Sequence, residues 1–334
     1  VTKKTAKSKS ATKTVTTYKA LDKDFRCKDF QFKVGETYTH DGPVVICESG
    51  FHGCENPLDV LSYYDLCASR FAVVEQAGEL KRNDEDSKIA SATITIKAEL
   101  KLGEFTKQAV QWIIDRCKAG KNVKAASGNS AKLAASGDYA QLAASGDYAQ
   151  LAASGYSAQL AASGNSAKLA ASGNYAQLAA SGNYAKLAAS GDYAQLAASG
   201  DYAQLAASGN SAKLAASGYY AKLAASGNSA QLAASGNYAK LAASGNYAQL
   251  AASGNSAKLA ASGYSAQLAA SGKDSVIASS SYAATAKGVI GTWIALAEYD
   301  KDGKCVGFAT GCIGKGGLEP NVDYRSSGGK LVKV

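Results

Sequence analysis

From Gly128 to Gly272 a glycine stands at every ninth position, seventeen times in register, and Leu133 to Leu268 keep the same step. The unit is Gly-[Asn/Asp]-[Tyr/Ser]-Ala-[Gln/Lys]-Leu-Ala-Ala-Ser, with few departures. A period this faithful specifies a solenoid, in which each repeat buries its apolar side only against its neighbours. Helices do not suit it, because a Gly beside Asn, Asp or Tyr in every ninth place would interrupt them continually. Strands do. In "YAKLAAS", Ala185, Leu187 and Ala189 alternate with Tyr184, Lys186 and Ala188, and a strand sends alternate side chains to opposite faces. Ala and Leu are therefore expected inward, with Tyr, Lys or Gln, and Ala outward. The Ser-Gly-[Asn/Asp] segment is expected to turn, with Gly and Asn or Asp taking positive φ. Ala is a poor strand former, and a core with room for one Leu per strand explains its use.

The residue before Leu sharpens the period. Lys132, Gln150, Lys168, Lys186, Gln204, Lys222, Lys240 and Lys258 occupy the odd repeats. Gln141, Gln159, Gln177, Gln195, Lys213, Gln231, Gln249 and Gln267 occupy the even ones. Six of eight against one of eight makes the structural unit eighteen residues, two strands per coil. One face then carries a Lys stripe and the other a Gln ladder. The Tyr/Ser position shows no such parity and reads as rim packing on both sides. The turns carry only Asp138, Asp147, Asp192 and Asp201 as acids, without the ligand pattern of calcium-binding repeats. The regular repeats also hold no Thr for a flat ice-binding face. The stripe of Lys132, Lys168, Lys186, Lys222, Lys240 and Lys258 is the candidate polyanion contact. Alternation that merely keeps a two-sided rod soluble is the plainer reading of it.

Charge is uneven within the net +9: residues 1–20 carry six Lys and no acid. Residues 1–17 are expected to form a basic disordered arm, since they have almost nothing to bury. The arm's charged start leads into no apolar run, so it does not read as a secretory signal. No apolar stretch reaches the ~18 residues of a membrane-spanning helix. The seven Cys, an odd number absent from the repeats, fit a reducing cytoplasm better than secretion.

The flanks read as separate units. Residues 18–102 are expected to form a small α/β domain, with "TTYKAL", "DFQFKV", "PVVICES", "SRFAVVEQAG" and "ASATITIKAEL" as strands. "ENPLDVLSYYDLC" is expected to be a helix capped by Asn56, with Pro57 first and Asp59 third. Residues 103–120 are expected to form a helix plugging the first coil, because an open solenoid end exposes core and strand edges. The solenoid is placed at 121–280 and a C-terminal β cap at 281–334. That cap turns a hairpin at Asp302-Gly303 and another in "DYRSSGGKLVKV", and draws bulk from Trp293 and Phe308. The fold class is thus mainly β, a nonapeptide-repeat solenoid with an α/β domain before it.

Chemistry-bearing side chains concentrate in "HDGPVVICESGFHGCENP", as His40, Cys47, His52 and Cys54. Their spacing matches no standard zinc site, and no orienting acid or oxyanion motif accompanies a Cys–His pair. A buried thiol and a structural His are the expectation, with no metal, cofactor or catalytic residue named.

The run "YKALDKDFRCKDFQFKVGETYTHDG" with "GFHGCENPLDVLSYY" resembles an uncharacterised N-terminal domain of bacterial and phage proteins that is often fused to nonapeptide repeats of this kind. The resemblance implies no activity. A looser likeness links Gly50, Phe51, His52, Pro57 and Tyr63 to ADP-ribosyltransferase folds, by fold analogy only. The leading expectation is a non-enzymatic, phage- or prophage-related scaffold or binding rod. It would engage protein partners, or copies of itself, through its end domains, with no membrane. A nucleic-acid- or polyanion-binding rod and an ADP-ribosyltransferase-like enzyme are the alternatives.

Overall fold

The computed structural model describes residues 14–64, 68–82, 86–101, 104–105, 108–109, 111–112 and 123–334. The chain forms two compact units: Val1–Tyr63 with Arg70–Leu100, and Tyr64–Ser69 with Lys101–Val334. Most of the expected basic arm lies outside the described residues, and its last three positions already belong to a strand.

The first unit is an antiparallel sheet. Its strands are β1 (Val15–Leu21), β4 (Thr37–Thr39), β5 (Phe51–Cys54), β6 (Arg70–Arg82) and β7 (Lys88–Leu100), and β2 (Arg26–Cys27) and β3 (Phe30–Gln31) form a separate two-stranded ribbon. Sheet order is β4-β7-β5-β1-β6, and β6 pairs with β7 again, so four strands close on themselves. Closure needs β6 to bend, and its register shifts at Val73/Val74 and Ala77/Leu80 supply the bends. Leu21, Phe25, Phe32, Ala72, Val74, Ile94 and Ile96 fill the inside.

The sequence misleads at two places here. "PVVICES" is a turn, with Val45 bridging Ser49 and Cys47 at φ 68°; its apolar run is too short to add a strand. "PLDVLS" forms a 3₁₀ turn rather than an α-helix, although Asn56 caps it as expected by accepting from the Leu58 N–H. The unit is therefore β with one helical turn, not α/β.

The second unit is the solenoid, and its period is eighteen. Every strand pairs in parallel with the strand two repeats away, residue for residue, as Lys168↔Lys186 and Gln177↔Gln195 do. Odd repeats build one sheet and even repeats the other, in ten coils. They are called here the lysine-face and glutamine-face sheets. Between them Ala185 (0 % exposed), Leu187 (2 %) and Ala189 (6 %) form the core, each repeated in every coil.

The turns differ from the expectation. Gly takes positive φ as expected in alternate repeats, at 149° for Gly155 and 151° for Gly173, but its left-handed companion is the Tyr/Ser position, at φ 60° for Tyr184 and 57° for Ser211, not Asn or Asp. The Asn/Asp side chain instead links coils. Asn165 Oδ1 accepts from the Asn183 N–H at 3.1 Å, and Asn183 Oδ1 from the Asp201 N–H at 2.9 Å. Each thereby satisfies a turn amide of the next coil. The left-handed turn also stacks the tyrosines: Tyr184, Tyr202, Tyr220 and Tyr238 lie parallel with centroids 5.0, 5.0 and 4.9 Å apart. Glycine is required by proximity. A Cβ at Gly200 would lie 2.3 Å from the Gly182 carbonyl oxygen.

The coils run on past the expected boundary through Thr285–Gly288 and Trp293–Tyr299. Two hairpins then close them. Cys305–Cys312 pairs antiparallel with Trp293–Tyr299 across a turn at Asp300–Lys304. Tyr324–Ser327 and Lys330–Lys333 close the other sheet. The plug is Tyr324 and Ile313, each 1 % exposed, with Leu318 and Leu331 against the core. Trp293 and Phe308, each 53 % exposed, face outward instead. Of the expected capping helix, Glu104–Phe105, Gln108–Ala109 and Gln111–Trp112 are helical and the rest lies outside the described residues. Phe105 and Ala109 are buried, while Leu133 and Ala135 of the first coil stay only partly buried.

Candidate functional site

Two places carry chemistry, one in each unit. In the first, β5 brings His52 and Cys54 between β1 and β7, through the pairs Tyr18↔Cys54 and His52↔Ala90. His52 Nε2 accepts the Cys47 N–H at 3.0 Å, which fixes the turn and requires an unprotonated nitrogen there. Burial, with Lys19 and Lys88 nearby, pushes the His52 imidazole below its ordinary pKa. Cys54 is 3 % exposed, and burial pushes its thiol well up, so it is no nucleophile near neutrality. Cys47 is the exposed thiol, and Lys88 Nζ donates to its sulfur at 3.0 Å.

The strands add residues that the sequence reading did not name. Lys19 on β1 is 4 % exposed and donates to the His52 carbonyl at 3.1 Å and to Cys27 Sγ at 3.5 Å. Its burial lowers its pKa. Lys88 Nζ also lies 3.9 Å from the Tyr63 ring centre, and the Tyr63 hydroxyl donates to Asp86. Burial and that carboxylate push Tyr63 up to about 12. A Lys inside "TTYKAL" was the one available signal, since a charge amid strand residues needs a buried partner. His40 stands apart at the end of β4, where its main-chain N–H bonds to the Ala92 carbonyl. Its Nε2 is buried without a hydrogen-bond partner. Among the described residues no three His, Cys, Asp or Glu side chains converge as metal ligands do.

The second place is the lysine-face sheet. Its strands present three outward rows: Lys or Gln first, then Ala, then Ser, as in Lys186, Ala188 and Ser190. Lys132, Lys168, Lys186, Lys222, Lys240 and Lys258 fall in one row at successive pairing positions and are all exposed. The small Ala row leaves a groove on each side, one walled by the Lys row and the other by the Ser row. The two faces of the solenoid differ in cover. On the glutamine-face sheet the outward Ala161 and Ala179 are fully buried, and Gln177 and Gln195 nearly so. Lys213 Nζ donates there to the Tyr64 carbonyl of the same unit, and Lys101 lies beside Ala233, Ala251 and Ala269. On the lysine-face sheet Ala152, Ala170, Ala188, Ala206, Ala224 and Ala242 are exposed.

No helix among the described residues is long and apolar enough to cross a membrane. No curated protein and no solved structure matches the chain. Residues 15–108 match the family described as a domain of unknown function, DUF7666, so the first unit and the start of the following helical stretch are similar to that domain.

Proposed function

We propose that the chain is a non-enzymatic β-solenoid scaffold: a rigid rod, phage- or prophage-related, that engages protein partners or copies of itself through its end domains. The supporting observation is the composition of the cap. Trp293, Val306, Phe308 and Ile290 are 53, 60, 53 and 66 % exposed there, whereas the repeats leave only Ala, Tyr and alkyl stems outside. Large apolar side chains left exposed in the cap support an interaction surface there, and Phe30 and Val34, 44 and 51 % exposed, do the same for the first unit. In the first unit, Cys54 is buried and His52 is spent on the Cys47 amide, which favours a structural role over an ADP-ribosyltransferase-like activity. The free described cysteines agree with a reducing cytoplasm.

The test is sedimentation of the full chain across concentrations, beside Trp293→Lys and Phe308→Lys together. Association in the wild type that the double variant loses supports engagement through the cap. A wild type that stays monomeric at every concentration removes the self-assembly clause. A second reading, an anionic partner on the lysine face, is favoured by that face being bare.

A further inference from the structure

We propose that the lysine-face sheet is a sequence-independent track for the phosphate backbone of single-stranded nucleic acid. This deepens the reading of the chain as a binding rod. Charge selects the occupant first. The outward rows of this sheet are Lys or Gln, Ala and Ser, with six Lys and no acid from Lys132 to Ser262. A second copy laid on the face would bring twelve Lys together with nothing to offset them, so self-pairing is disfavoured here.

The lysines are also left unspent. None of the six has an ion-pair partner among the described residues. The turns adjoining this row carry Asp147 and Asp201, and those are the two coils in which the row holds Gln150 and Gln204 instead of Lys. Where a turn brings an acid, the row gives up its cation, so every Lys stays available for an outside charge. On the far side of the Ala floor, Ser136, Ser154, Ser172 and their successors add a parallel line of hydroxyls, which suit phosphate oxygens.

Shape selects the strand state. The lysines lie on a straight line seven coil steps long, roughly 34 Å at ~4.8 Å per step. A duplex winds each strand away from such a line, whereas a single strand can straighten along it. Base readout is not provided. The Ala floor cannot stack bases, and four of the five tyrosines beside the Lys row, Tyr184, Tyr202, Tyr220 and Tyr238, already stack on each other, leaving Tyr148 between Ser130 and Ser166 outside the stack. Contact is thus with the backbone, whose affinity falls steeply with salt.

The experiment measures binding of the full chain to a fluorescent thirty-nucleotide oligo(dT) between 50 and 200 mM NaCl. It compares wild type with a variant in which the six row lysines are Gln. Gln already occupies Gln150 and Gln204 in that row, so the variant keeps the fold, which circular dichroism verifies. Six phosphate contacts at ~0.7 per contact make the log–log salt slope steeper by about 4 in the wild type. That is roughly a 300-fold larger loss of affinity over this range. A control replaces six exposed lysines elsewhere (Lys23, Lys28, Lys301, Lys304, Lys315 and Lys330) and is expected to match the wild type. An unchanged slope in the row variant overturns the proposal, as does an equal loss in the control. No binding at 50 mM, or tighter binding of a thirty-base-pair duplex or of polygalacturonate, also overturns it. The cap variants are scored by sedimentation without nucleic acid, so failure here and failure of the scaffold reading are separate results.

Discussion

Gly200 shows how one residue per repeat can be irreplaceable without any chemistry of its own. Its backbone passes so close to the coil before it that a methyl group would lie 2.3 Å from the Gly182 carbonyl oxygen. Gly200→Ala is therefore expected to cost about 1–3 kcal/mol, the range for forced overpacking, read as a lowered denaturation midpoint. Ser199→Ala, one residue earlier, is the comparison that leaves this contact intact. The Asn/Asp position is conserved along the repeat for a different reason, its bond to the next turn's amide. Where Tyr156, Tyr219 and Tyr264 replace it, that acceptor is missing from the next coil. At Tyr156 and Tyr264 the phenol ring instead joins the neighbouring Tyr stack.

The repeat and the coil are different elements, and only the coil is a unit of folding. Deleting residues 182–199 removes one whole coil and leaves every later strand in its own sheet. Deleting residues 182–190 removes one strand and sends each later strand to the opposite sheet, so the later coils turn their exposed Lys rows to the covered face and lose contacts such as that of Lys213 with the Tyr64 carbonyl. The first deletion is expected to give a soluble rod shorter by ~4.8 Å, the second a loss of cooperative melting, both followed by circular dichroism. This period was legible from parity at a single position, because Lys and Gln mark faces. The turn was not. Tyr at φ 60° is unfavourable locally, and only bonding between successive turns and ring stacking make it the preferred arrangement. In the first unit, Asn56 announced its cap locally. Lys19, Lys88, Cys47 and His52 come together from positions 33 and 41 apart, a closeness that pairing of β1, β5 and β7 creates and that no spacing rule contains.

At the scale of the whole molecule, parallel stacking leaves two open strand edges at each end. Here the antiparallel hairpins cover Trp293–Tyr299 and Thr285–Gly288. Removing residues 300–334 would bare both edges and the core around Ile294 and Leu296. That truncated chain is expected to stack end to end into filaments, detectable by light scattering and electron microscopy; a truncated monomer would show that the hairpins do not act as a cap.

What the sequence alone determined is the solenoid, its eighteen-residue coil, its Ala-Leu-Ala core and the lysine row, because each follows from a period and from the alternation of strand side chains. The cover on one face was decided only by the tertiary structure. Ala161 and Ala188 occupy the same place in the repeat, yet one is buried and the other bare. The repeat is blind to that difference, since burial depends on what the rest of the chain lays against each sheet.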